Sequence, residues 1–348
     1  MEINLFDHQA ADDAAYAAYN TLSNTLRAER LPDLPPIPVV EQKGRLQSMP
    51  PFMGYSLFTV TDKHTQTMIA ATEVSVPQMA ENAHMVQFMI HVLPAYRRQG
   101  TGRLLLGRVA ELAQGNGRHL LLSSSYGNIP AGAAFLERMG ASRGLETHTN
   151  RLNLADLDRN LLADWLAHGA ALTTEFALGL WVGPYPEEEL ANIAQLMDVM
   201  NQQPRGELKT ADIQFTPERV RELQAASLSG GVESWTLYAR ERQTGELVGY
   251  TAVYFSPNRP EQMSQGDTGV FPAYRGRGLG RWLKAAMLDK ALRERPEVQY
   301  VLTGNADSNA PMLKINHDLG FRPYLPQTIW QVDLETLLAY LHQAPSTS

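Results

Sequence analysis

A fifteen-residue loop occurs twice in this chain. Residues 92–106 read VLPAYRRQGTGRLLL and residues 270–284 read VFPAYRGRGLGRWLK, identical at nine of fifteen positions. Arg97 and Arg275 stand 178 positions apart in 348 residues, so the repeat is domain-sized and marks a duplication rather than a solenoid. The similarity continues on both sides. Leu104, Leu105, Val109, Leu112 and Ala113 recur at helical spacing after the first loop, as Leu279, Trp282, Leu283 and Ala286 do after the second. Each helix leads to a short apolar strand (119–123 or 298–302) and a second helix (130–139 or 309–319). Each copy then closes with a strand around 151–154 or 331–334 and a helix over 157–170 or 335–344. Upstream of each loop lies a hairpin pattern, 55–76 and 235–255, the latter turning at Gln243-Thr244-Gly245. The stretches 33–42 and 77–83 read as loops. Two α/β domains follow, residues 1–165 and 175–348, with the division near 160–175.

Composition narrows the function classes. Hydrophobic residues make up 44% and charged residues 19%, a core-forming balance. The net charge of −7 disfavours nucleic acid and anionic membranes as partners, since both call for a basic face. The absence of cysteine excludes disulfides, thiolate metal sites and a cysteine nucleophile, and the histidines show no metal-binding spacing. The opening MEINLFDHQAADD is acidic, and no apolar run nears the roughly 18 residues of a membrane span, so a cytoplasmic protein is expected.

A strand running into RGRGLG and then a helix exposes backbone N–H groups at a helix start, where glycines let an anion approach closely. Neither loop has the lysine–hydroxyl pair of a P-loop. Neither is followed, at the end of the next strand, by the acid of a dinucleotide fingerprint. The remaining reading is a pyrophosphate clamp for coenzyme A.

Arg97-x-x-Gly100-x-Gly102 and Arg275-x-x-Gly278-x-Gly280 resemble the acyl-CoA signature of the GNAT N-acetyltransferase superfamily. The order of elements and the helix ending Leu319-Gly320-Phe321 resemble that family too, over nearly the whole chain. The tandem layout is similar to bacterial two-domain acetyltransferases of the mycothiol synthase type. The resemblance implies an α/β (α+β) fold of two tandem domains, each a mixed, mostly antiparallel sheet flanked by helices, and acetyl-CoA as cofactor. It places the pantetheine on Val270 and Phe271, with Val92 and Leu93 in the first copy. The phosphates fall to Arg275, Gly276, Arg277, Gly278, Leu279, Gly280 and Arg281. Their counterparts are Arg97, Arg98, Gln99, Gly100, Thr101, Gly102 and Arg103.

The second copy carries Asn305, Asn309 and Asn316 where the first has Ser125, Ile129 and Leu136, so chemistry is expected in the second domain. Asn305 and Asn309 are expected to bond the cofactor arm, and an N-cap is the structural alternative for Asn309. Asp267, the sole acid on the strand before the second loop, is the candidate base; its alternative is a solvated strand end. Asn316 stands where many relatives have an acidic tyrosine and could bond the leaving thiolate. Glu73, on the alternating run ATEVSV, reads as an exposed strand residue, with a position facing a first-domain cleft as the alternative, and His91 reads as a satisfied strand residue. The expected activity is acetyl transfer to the primary amine of a small molecule. A non-catalytic acyl-CoA-binding protein and a peptide or protein N-acetyltransferase are the alternatives.

Overall fold

A computed structural model describes residues 2–343. The first half runs β1 (Glu2–Leu5), α1 (Asp13–Arg30), α2 (Val39–Gln47), β2 (Tyr55–Thr61), β3 (Met68–Ser75), β4 (Met85–Val92), α3 (Thr101–Gly115), β5 (Leu120–Tyr126), α4 (Pro130–Arg138) and β6 (Ser142–Asn153). The second runs α5 (Arg159–Ala170), β7 (Phe176–Val182), α6 (Leu190–Met197), α7 (Pro217–Ser227), β8 (Glu233–Glu241), β9 (Leu247–Phe255), β10 (Gln262–Val270), α8 (Leu279–Glu294), β11 (Tyr300–Ala306), α9 (Ala310–Asp318), β12 (Arg322–Asp333) and α10 (Leu334–His342). Most lie where periodicity places them. An exception is α2, whose start falls inside the expected loop 33–42. Its Gln42 and Leu46 are buried, and tertiary packing overrides the proline-rich punctuation.

Two compact units form. Among the described residues the first comprises 2–146, 205–211 and 325–343, and the second 147–204 and 212–324. The sequence assigned each closing strand and helix to the copy that encodes it. In the structure β12 pairs antiparallel with β5, Gln327 to Tyr126 through Asp333 to Leu120, so β12 and α10 complete the first unit. Residues 147–153 of β6 pair with β11, Thr147 to Ala306 through Asn153 to Tyr300, and complete the second. A closing strand adds the same hydrogen bonds to either sheet, so local sequence carries no mark of which one it joins.

The first unit's sheet runs β1-β2-β3-β4-β5-β12 and the second's β7-β8-β9-β10-β11-β6. Each is antiparallel except for one parallel pair, β4 with β5 and β10 with β11. The first core gathers Val74, Val86, Leu106, Leu121 and Trp330 between sheet and helices, and the second gathers Val248, Val253, Leu283, Met287 and Val301. Both parallel pairs are short. β4 and β5 pair only over Met85–Gln87, and β10 and β11 only over Gln262–Ser264. Beyond those residues the strands part, leaving an open wedge beside the glycine loop in each unit.

Candidate functional site

The wedge widens into a cavity in each unit, about 820 Å³ in the first and about 870 Å³ in the second. The glycine loops close one end. Gly100 and Gly278 cap α3 and α8 with φ of 83° and 90°, a left-handed conformation that favours glycine. A Cβ built on either meets nothing within 4 Å, so the space above the backbone is clear. The first i→i−4 bonds of these helices start at Leu104 and Trp282, so the N–H groups of residues 102–103 and 279–281 come before the ladder begins. That is an anion cradle with the positive helix end behind it.

The motif arginines anchor the loops. Arg97 Nε donates to the Val92 carbonyl at 3.0 Å and Arg275 Nε to the Val270 carbonyl at 2.9 Å. Arg97 also forms a two-pronged ion pair with Glu29, and Arg275 donates to the Gln202 side chain. Both line their cavities, as do Arg98, Gly100, Gly102 and Arg103 in the first unit, and Gly276, Gly278, Leu279, Gly280 and Arg281 in the second. Arg103 donates to the Leu341 carbonyl from α10. Gly276 has φ 76°, and Arg98 takes the same strained conformation (φ 63°) at the matching position.

Several predicted residues lie elsewhere. The Phe271 side chain packs with the Trp181 and Tyr250 cluster, and its N–H bonds the Val248 carbonyl. Leu93 packs into the α1 side of the first core, and its N–H bonds the Ile69 carbonyl. Arg277 pairs with Glu175 and lies over the Phe176 ring. Gln99 donates to the Ala95 carbonyl, and Thr101 is buried under the loop. Val92 and Val270 do line the cavities.

Asn316 is a correction. It is 1% exposed, does not line the cavity, and donates its amide to Asn305 Oδ1 at 2.8 Å. In this arrangement its amide faces Asn305 rather than the cavity wall. Asn305 and Asn309 do reach the cavity wall. Asn305 Oδ1 also accepts from Asn150, and Asn309 Oδ1 caps α9 by accepting from Met312 N at 3.4 Å.

Asp267 lies on the cavity wall of the second unit. A bulge makes this possible: Gln265 pairs with Val253 and Thr268 with Thr251, so β10 carries one extra residue. The carboxyl is exposed to the cavity. Burial by the surrounding protein still pushes it above the ordinary carboxylate range, and the Tyr250 hydroxyl beside it partly opposes that. Gly269, two residues on, leaves room for Val199 and Met200; a Cβ there would meet them at 2.3 and 2.5 Å.

The first unit differs from its sequence reading. Glu73 is not an exposed strand residue: it lines the cavity and accepts from the Tyr19 hydroxyl at 3.0 Å. Burial raises its carboxyl, but Arg45, His91 and Tyr19 outweigh that and hold it below its ordinary value. His91, also on the wall, is pushed down by burial, with Glu73 opposing. The alternation in ATEVSV was the available signal, since it puts Glu73 on the same face as buried Ala71. The second unit holds another unpredicted group, Lys284. It is 2% exposed on α8 and lines the cavity, and burial lowers it to about 7. A lysine where the first copy has Leu106, on an otherwise apolar helix face, was its signal.

No curated protein matches the chain significantly. Among solved structures, a tandem GNAT protein from the clavulanic acid biosynthesis pathway is 28% identical, with a TM-score of 0.78 over 96% of this chain and 98% of that one. A GCN5-related N-acetyltransferase from Sphaerobacter thermophilus is 14% identical, with a TM-score of 0.66 over 95% and 97%. The glucosamine N-acetyltransferase region of a fungal β-N-acetylglucosaminidase is 13% identical, with a TM-score of 0.62 over 95% of this chain and 38% of that one. The last two show the fold alone. These likenesses support the tandem arrangement and not a particular similarity to mycothiol synthase. The acetyltransferase (GNAT) family matches residues 20–141 and 198–321, one match in each copy of the repeat. With both glycine loops, both wedges and most of its length accounted for, the chain belongs to the acetyltransferase (GNAT) family.

Proposed function

We propose that the protein is an acetyl-CoA-dependent N-acetyltransferase whose acceptor is the primary amine of a small molecule. The observation that carries this reading is the cleared cradle at Gly278 and Gly280, which opens onto the wedge where Asp267 stands. The cradle suits a coenzyme A pyrophosphate. The N–H groups of residues 279–281 and the Arg275 and Arg281 side chains would hold the phosphates, and the free edges of β10 and β11 would flank the pantetheine. Bound there, the cofactor supplies an activated acetyl thioester. The same cradle at Gly100 and Gly102 supports cofactor binding in the first unit.

The chain's own task is the proton. A primary ammonium has a pKa near 10 and carries no free lone pair at neutral pH. Asp267 accepts its proton, and the raised carboxyl pKa makes it a better base than an ordinary aspartate. With Asn316 turned away, the proton for the departing thiolate comes from the acceptor nitrogen or water. The test is release of coenzyme A thiol from acetyl-CoA across a panel of small primary amines. Amine-dependent release is expected; binding of acetyl-CoA without release for any amine would favour a non-catalytic binding protein.

A further inference from the structure

The two clefts carry their ionisable groups at different positions. Ala70 pairs with Val92 as Gly249 pairs with Val270, which aligns β3 with β9 and β4 with β10. Glu73 then matches Ala252, and His91 matches Gly269. In the other direction Asp267 matches Met89, and Tyr250 matches Ala71. Each unit has a carboxylate on its cavity wall, and each lacks the other's. A copy that had merely decayed would lose its polar groups without gaining a separate set.

The first unit's set forms one cluster. Glu73 faces Met89 across the ladder and His91 faces Ala71, so Glu73 and His91 share a face as diagonal neighbours. Tyr19 of α1 bonds Glu73 from above. The charged groups acting on His91 are Glu73, Arg30 of α1 and Arg45 of α2; those acting on Glu73 are Arg45 and His91, with the Tyr19 hydroxyl bonded to it and the Tyr55 hydroxyl nearby. Arg45 is exposed to the cavity, and Arg30 lies over the Tyr126 ring at 4.5 Å, also on the wall. Glu73 and the cations Arg30 and Arg45 therefore converge on His91 in one cleft, where Glu41 of α2 also lines the wall and acts on Arg45.

We propose that the first unit is a second acyl-transfer site, whose acceptor carries an amine and a carboxylate in one small molecule, as an amino acid does. Glu73 holds the ammonium, His91 takes its proton, and Arg30 and Arg45 hold the carboxylate. The neutral imidazole is free to accept a proton at pH 7. The freed nitrogen lone pair forms the C–N bond to the thioester carbonyl, and the C–S bond breaks. The nitrogen's second proton ends on the departing thiolate, and the proton on His91 returns to solvent. This rests on the acyl-CoA reading above but assigns that chemistry to different residues and a different acceptor.

The test measures thiol release from acetyl-CoA near neutral pH in an Asp267→Asn background, which suppresses transfer in the second unit by roughly 10²–10⁴-fold. The acceptors are the standard amino acids, each paired with the amine lacking its carboxylate. At least one amino acid should be acetylated, with KM roughly 10- to 100-fold below that of its partner amine, as expected for a charge-assisted contact. Arg30→Met should abolish that preference, and His91→Asn should lower kcat by roughly 100-fold. Calorimetry without acyl donor should show that amino acid binding the native chain and not Glu73→Gln. Matched pairs that behave alike, or unchanged binding by Glu73→Gln, would overturn the proposal. Release that vanishes in Asp267→Asn while surviving in Glu73→Gln would overturn it and leave the second-unit reading intact. No release by the native chain with any acceptor would overturn both.

Discussion

Asp267→Asn should lower kcat for a simple amine acceptor by roughly 10²–10⁴-fold, the usual contribution of a positioned base, with coenzyme A affinity unchanged. The affinity holds because Asp267 stands on the wall formed by the β10 bulge, while the anion cradle lies at the start of α8. The pH profile separates this from a loss of packing. In the native chain kcat/KM should rise with pH through the Asp267 ionisation, above the ordinary carboxylate range because burial raises it. The amide variant has no such ionisation. Its residual activity should climb toward the pKa of the acceptor, near 10, where free amine needs no base. A variant with near-native kcat and the native profile would remove Asp267 from the chemistry.

The second large effect is on stability. Lys284 is buried on α8, and burial lowers it to about 7, whereas an unfolded lysine titrates near 10.4. Between those values the unfolded chain holds a proton that the folded chain lacks, so stability rises with pH across that window. At pH 7 and below the full cost applies, up to roughly 4–5 kcal/mol and less where cleft water reaches the ammonium. Lys284→Met keeps the length of the side chain and removes the charge. Chemical denaturation should show it more stable than the native chain by several kcal/mol at pH 6, with the gain shrinking toward pH 10. A gain independent of pH, or none at pH 6, would mean that the ammonium is satisfied in the fold.

The duplicated Arg97 and Arg275 loops made the domain class and the glycine-capped helix starts legible, because glycine at a left-handed helix cap is a local requirement written in local sequence. Asp267 was legible as the sole acid on its strand, but its orientation depended on a bulge that alternation alone does not reveal. Asn316 misled because the motif gives its place on α9 but not the direction it points, which Asn305 fixes from another strand. Strand exchange between β6 and β12 left no trace in the repeat, since either sheet would accept either strand. The α1 and α2 residues that meet Glu73 are long-range partners, and one sequence without its fold does not bring Tyr19 to a residue 54 positions away.

The most direct test is calorimetric titration of the chain with coenzyme A. Gly102 and Gly280 are the positions to block, because both have ordinary helical backbones. A Cβ on either meets side chains no closer than 3.5 Å, so valine should be accommodated while intruding on the cradle. Valine also favours a helix more than glycine does. Two coenzyme A molecules should bind each native chain, one should bind Gly102→Val and one Gly280→Val, and the double variant should bind none. Binding that is absent from the native chain, or untouched by both substitutions, would contradict the assignment of the glycine loops as cofactor cradles.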